Sequence, residues 1–231
     1  MRILFTGTSS FTGCWFVKAL VEAGHEVVAT LRRDRDGYPD LAGRRVAMLD
    51  GMCPMAFSCE FGGPAFMDLV DREDRWDLFC HHAADVTDYK SPDFDPVAAL
   101  ANNTNNLREV LAGLKEKGCQ AMLLTGSAFE QNESAGSDEL RAFSPYGLSK
   151  GITWDVVRYY SNEAGMRLAK FVIPTPFGPF EKPGLTSYLA RTWLAGGTAR
   201  VSSPAYVRDY IHVSLLARAY GDFASRLCER S

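Results

Sequence analysis

The sequence predicts an open, doubly wound α/β domain built on a parallel sheet, and two observations predict it. First, short apolar, β-branched runs alternate with segments of helical period across residues 1–173, the spacing that parallel strands joined by right-handed helical crossovers require. Second, the opening unit reads as strand, glycine turn and helix. Arg2-Ile3-Leu4-Phe5 runs into Thr6-Gly7-Thr8-Ser9-Ser10-Phe11-Thr12-Gly13, after which Phe16 and Leu20, and Val17 and Val21, fall four apart before a stop at Gly24. That context turns a weak glycine motif into a dinucleotide site. Gly7 permits the tight turn and Gly13 the close packing of helix on strand. The stretch Ser9, Ser10, Phe11 and Thr12 leads into a helix start whose unpaired N–H groups and positive dipole end suit a pyrophosphate. Position 10, the middle of the Gly-x-x-Gly-x-x-Gly pattern, is a serine, which lets the backbone approach phosphate less freely.

The remaining elements follow in order. Residues 25–31 form a second strand ending in Arg32-Arg33, before a loop rich in Asp, Gly and Pro over 34–43. Arg45-Val46-Ala47-Met48-Leu49 is expected as a third strand, closed by Asp50-Gly51. Residues 52–64 carry Pro54, Gly62, Gly63 and Pro64 without periodicity and are expected as loop, with a helix over 65–73. A fourth strand over 76–80 runs into His81-His82-Ala83-Ala84. A polar loop over 85–95 precedes one long helix over 96–117, and the fifth strand, 120–124, ends in Thr125-Gly126-Ser127. An acidic loop over 130–143, of which 130–139 is expected as a solvated flap, leads to Tyr146 and a helix reaching about residue 163; the sixth strand is 167–173. Past Pro174 come a Pro/Gly-rich stretch, a helix near 184–195, the run 208–213 and a last helix. The expected organisation is a dinucleotide-binding domain over 1–173 and a partial substrate-binding lobe over 174–231.

Composition sets the bounds. At 231 residues, with 46% hydrophobic and 23% charged residues, the chain is long enough for a sizeable core and ordinary for a globular protein. A net charge of -3 without a basic stripe argues against nucleic acid. No run reaches about 18 apolar residues and no leader precedes the first strand, so a cytoplasmic protein free of membrane is expected. The six cysteines show no C-x-x-C spacing and are expected as reduced thiols. His81 and His82 have no carboxylate or Cys spaced to complete a metal set, so no metal is expected.

Ligands in such a sheet sit outside the carboxyl ends of the strands. Ser127 lies just past the fifth strand, and Tyr146 and Lys150 lie four apart on the next helix, with both side chains on one face. A phenol near pKa 10 holds its proton at neutral pH. A nearby ammonium and a cationic nicotinamide favour the phenolate and move the tyrosine towards acid/base use. The Ser127 hydroxyl can hold a substrate oxygen beside it.

Over nearly its whole length the chain resembles the extended short-chain dehydrogenase/reductases, in the NAD-dependent epimerase/dehydratase branch that acts on nucleotide sugars. The matching pieces are Thr6-Gly7-x-x-Ser10-x-x-Gly13, Asp50, His81-x-Ala83-Ala84, Ser127 and Tyr146-x-x-x-Lys150, then Phe177-Gly178-Pro179 and Arg208-Asp209-Tyr210-Ile211-His212-Val213. The resemblance implies an NAD(P)-binding Rossmann fold in which Asp50, with Gly51, meets the adenine, and Ala83, Ala84 and Thr125 line the cofactor. It further implies Tyr146 as acid/base, Lys150 on the nicotinamide ribose, and Pro174 to Phe177 near the nicotinamide. Thr175 stands where the family has Asn, beside the substrate, and Arg208 would meet a substrate diphosphate, which its planar fork suits. Ser214 replaces a usual Asp. Family chains continue further, so the lobe is expected to be truncated or minimal and to leave an open cleft beside Tyr146; a homodimer is a further implication.

The site residues bear on the reaction. Dehydratases of this branch carry an Asp-Glu pair directly after the catalytic Ser or Thr, where this chain has Ala128-Phe129. Typical epimerases read NAD through an acid at the end of the second strand, where this chain has Leu31 followed by Arg32 and Arg33, placed for a 2′-phosphate. The expected function is an NADP-dependent reductase of a 4-keto nucleotide sugar, with NAD as the other cofactor option. The alternatives are a nucleotide-sugar 4-epimerase and a non-catalytic NAD(P)-binding regulatory protein.

Overall fold

The computed structural model describes residues 1–133 and 141–229. The expected acidic flap therefore lies partly outside the described residues. Strands β1 (Arg2–Thr6), β2 (Glu26–Thr30), β3 (Met55–Ala56), β4 (Leu78–His81), β5 (Ala121–Ser127) and β6 (Arg167–Ile173) form one sheet in the order β3-β2-β1-β4-β5-β6, with every pairing parallel. The chain winds outwards from β1 to β3, returns to the centre at β4 and winds outwards the other way. That reversal opens a crevice between the carboxyl ends of β1 and β4, where open α/β sheets take their ligands. A short parallel pair, β7 (Thr175–Phe177) and β8 (Tyr210–His212), continues directly from β6.

Helices cover both faces because alternate strand residues point to opposite sides and both sets are apolar. Leu4, Val28, Phe79, Met122 and Leu124 pack under α3 (Pro64–Arg72), α5 (Leu107–Glu116) and α6 (Pro145–Glu163). Ile3, Phe5, Val27, Ala29, Cys80 and Leu123 pack under α1 (Phe11–Glu22) and α8 (Val213–Glu229). The two helices are joined by Phe16 and Tyr220, whose rings stack with centroids 4.0 Å apart. All six cysteines are free, four of them buried, as expected of reduced thiols.

Two expected elements are corrected. Residues 45–49 are not a strand: α2 (Asp40–Ala47) occupies the segment, and β3 comes later. The buried residues there, Val46 and Leu49, stand three apart, a helical interval that also buries Arg45. The long helix over 96–117 is two helices, α4 (Pro96–Asn103) and α5, broken where Asn106 takes a left-handed φ of 49°. The break is held by side chains: Asn105 and Asn106 donate to the carbonyls of Phe61 and Gly62. The expected helix near 184–195 is α7 (Leu185–Leu194).

Candidate functional site

The glycine turn is built to let backbone approach backbone. Gly7 has φ +82°, and a Cβ there would lie 2.7 Å from the Ala83 nitrogen, across the crevice. A Cβ on Gly13 would lie 2.2 Å from the Gly7 carbonyl oxygen. Ser10 caps α1, its hydroxyl accepting the Gly13 N–H at 3.0 Å. Gly13 and Cys14 have their N–H groups taken within the turn, whereas those of Phe11 and Thr12 have no partner among the described residues. Two free donors at the start of a 12-residue helix, in a cradle that side chains would fill, fit a pyrophosphate.

The histidines after β4 brace this turn. Thr6 Oγ1 accepts the N–H groups of His82 and Ala83, so its own proton goes to His81 Nδ1 at 2.9 Å, and His81 Nε2–H donates to the Asn103 carbonyl. His82 bridges the crevice: Nε2 meets Ser10 and Thr12, and Nδ1 meets Thr125 Oγ1 at 3.0 Å. Burial pushes His81 down to about 4 and His82 down to about 3, with Lys150 acting in the same direction, so both rings are neutral near pH 7. The serine at position 10 is therefore the partner of a histidine just past β4, the strand that neighbours β1.

Ser127, Tyr146 and Lys150 gather at the end of β5. Lys150, only 4% exposed, donates from Nζ to the Thr125 carbonyl at 2.7 Å. Ser127 Oγ accepts the Phe129 N–H at 3.2 Å, which leaves its proton available to an incoming oxygen. Tyr146 stands edge-on to Tyr89 and Phe94 from the loop after β4. Burial, reinforced by Glu130 and then Tyr89, pushes the Tyr146 phenol well above its ordinary value, the opposite of the lowering expected from Lys150, because burial penalises the phenolate and the nearest charge is a carboxylate. Burial brings Lys150 down to about 8, opposed by Glu130 and assisted by Lys170.

Other expected residues fall into place unevenly. Asp50 and Gly51 do not close a strand; Asp50 pairs with Arg35 at 2.9 Å on the surface, and the residues leaving β3 towards the crevice are Phe57 and Ser58. Arg32 is exposed beside the crevice, and its charge adds to the hydrogen bonds from Thr87 and Asn102 that hold Asp85 low against burial. Arg33 is tied to its own loop through the Gly37 carbonyl and Tyr38. Arg208 stands over the rings of Phe129, Phe143 and Tyr206, so it is at the mouth beside Ser127. Thr175 N–H bonds the Asp209 carbonyl, and Phe177 packs on His212.

Two residues escaped the sequence reading. Arg45, 6% exposed, donates from Nε and Nη2 to the Phe180 carbonyl and reaches Ser9 O at 3.5 Å, joining the glycine turn to the loop after β7. Glu130, 1% exposed, accepts the Ser127 N–H at 2.6 Å. Glu130 was hidden in an acidic stretch whose composition reads as solvated. Among the described residues no cluster of His, Cys, Asp or Glu could hold a metal, and no helix is long and apolar enough to cross a membrane.

Sheet order, crevice and glycine turn together define a Rossmann-type α/β protein. The chain belongs to the NAD dependent epimerase/dehydratase family, whose model matches residues 3–225. No curated protein matches it. Among solved structures it is similar to a UDP-glucose 4-epimerase of Thermotoga maritima crystallised with UDP-glucose, at 20% identity and TM-score 0.72, covering 95% of this chain and 72% of that one. It is also similar to DesIV, a dTDP-glucose 4,6-dehydratase of Streptomyces venezuelae crystallised with NAD and TYD, at 22% identity and TM-score 0.70, covering 96% and 71%. Pal from Bacillus thuringiensis matches at 18% identity and TM-score 0.76, covering 97% and 74%. At these identities the likeness is one of fold.

Proposed function

We propose that this chain is an NADP(H)-dependent oxidoreductase that reduces a keto group, at carbon 4 in the leading reading, of a nucleotide sugar. The observation that carries it is the grouping at the end of β5: the Ser127 hydroxyl with its proton free towards an incoming oxygen, the Lys150 ammonium on the Thr125 carbonyl, and the neutral Tyr146 phenol at the head of α6. A reduction needs a proton donor at the carbonyl oxygen. When bound, a reduced nicotinamide would supply hydride to the carbonyl carbon. Tyr146 Oη gives its proton to the carbonyl oxygen as the C=O bond becomes C–OH. Ser127 Oγ donates a hydrogen bond to the same oxygen, and the Lys150 ammonium steadies the phenolate left behind. The positions after Ser127 that would hold a dehydratase's acid and base are Ala128 and Phe129, which supports reduction over elimination.

In this reading residues 1–173 hold the cofactor, with Gly7, Ser9 to Gly13, Ala83, Ala84 and Thr125 around it and Arg32 near a 2′-phosphate. The segment from 174 meets the sugar, Arg208 the diphosphate. Members of the structural class include proteins crystallised with UDP-glucose and with NAD, which supports these ligand classes. The test is NADPH oxidation, followed at 340 nm, on adding 4-keto nucleotide sugars. Stoichiometric oxidation with formation of the 4-hydroxy sugar is expected. Interconversion of 4-hydroxy epimers without net cofactor consumption would assign an epimerase instead.

A further inference from the structure

Glu130 is the most buried carboxylate among the described residues, and it stands in the middle of the reactive set. Its Oε1 accepts the Ser127 N–H at 2.6 Å, and its Oε2 meets Lys170 Nζ at 3.1 Å. Lys170, on β6, also pairs with Glu133 and lies 4.9 Å from the Trp154 ring centre on α6. Gly126 makes room for the arrangement, since a Cβ there would lie 3.0 Å from Glu130 Oε1 and 2.9 Å from Lys170 Cδ. Lys150 is on the same strand end: its ammonium sits on the Thr125 carbonyl, one residue before Gly126. Two acids and two lysines thus share a largely buried site, and the sum of their charges is zero. A buried ammonium without a carboxylate loses its proton readily, because burial penalises the charged form.

We infer that Glu130, ion-paired directly with Lys170, extends its negative charge across Gly126 to Lys150 and positions Ser127, holding the ammonium charged and the serine's backbone in place from one carboxylate. The inference rests on the proposed contact of Lys150 with the nicotinamide ribose. The titratable groups around Lys150 are Tyr146 on its own helix, Glu130 and Glu133 from the loop after β5, Lys170 on β6, and His81 and His82 at the end of β4. The two histidines are neutral above pH 7, and Tyr146 titrates far above it, so Lys150 is the member of this set that changes charge between pH 7 and 9.

The experiment is NADPH binding to the full chain by fluorescence between pH 7 and 10, for wild type, Glu130→Gln, Lys170→Met and Lys150→Ala. Wild-type affinity falls as pH rises through the Lys150 transition. Glu130→Gln should move that midpoint down by about one unit or more, and Lys170→Met should move it up. Coincident midpoints for wild type and Glu130→Gln, beside a weakened Lys150→Ala, overturn the inference alone. A Lys150→Ala chain that binds with wild-type affinity and midpoint overturns the assignment of Lys150 and the inference with it. Should Glu130→Gln fail to fold, Lys170→Met carries the test, and an unchanged or lowered midpoint overturns the inference.

Discussion

Tyr146 is held as an acid by its surroundings. Burial and the nearby Glu130 and Tyr89 favour the neutral phenol and make it a weaker acid, so proton donation in the proposed reduction needs the phenolate to be stabilised at the moment of transfer. Tyr146→Phe removes that proton and little else. It should cost turnover roughly 10²–10⁴-fold while NADPH affinity stays within about twofold, checked by steady-state rates beside a binding titration. The histidines make a separate prediction about stability. His81 and His82 bind protons in the unfolded chain near pH 6.5 but resist them in the fold down to about 4 and about 3. A folded pKa below the unfolded value means that their contribution is complete above pH 6.5 and is lost as pH falls through that window. Each ring should steepen acid destabilisation by about 1.4 kcal/mol per pH unit, and His82→Gln should flatten the dependence of Tm on pH between 6 and 4. The placing of Ser127 at a strand end, and of Tyr146 and Lys150 four apart on the next helix, was legible because each rests on local spacing. Glu130 was not, because its buried partner Lys170 stands 40 residues away and nothing in the local pattern couples them.

The glycine turn shows how an element can be read and still be incompletely understood. Its strand–turn–helix form follows from apolar spacing and glycine, and the structure agrees. Ser10 read as a departure because its partner, His82, comes from another strand. Gly13→Ala would drive a methyl to 2.2 Å from the Gly7 carbonyl, so the turn must open. The expected cost is about 1–3 kcal/mol in stability, with a larger loss of NADPH binding than of stability; urea denaturation and a binding titration measure the two separately. The third strand was misread for a physical reason. β3 is two residues long, after Pro54, and so short a run carries no period, whereas the apolar content at 45–49 belongs to a helix. The break between α4 and α5 was illegible because asparagine carbonyl partners on a distant loop impose it.

At the scale of the molecule, cofactor choice depends on which cations remain free at the crevice. Arg33 is committed to its own loop, while Arg32 faces Asp85 from the end of β2. NADPH should therefore bind more tightly than NADH, and Arg32→Ala should erase about 10- to 100-fold of the preference where Arg33→Ala erases less. Equal affinities by titration calorimetry on the unmodified chain would reject the assignment. The parallel, doubly wound sheet was legible apart from the placing of its third strand, since alternation and crossover handedness leave few topologies. The stack of Phe16 on Tyr220 has a consequence for how the protein is made. One flank of α1 is covered by α8, whose residues leave the ribosome about two hundred positions after α1 does. At ordinary rates of translation, the first helix waits many seconds before Phe16 meets its stacking partner Tyr220. The α1 flank of the nucleotide crevice thus acquires its full packing only once residue 224 has emerged.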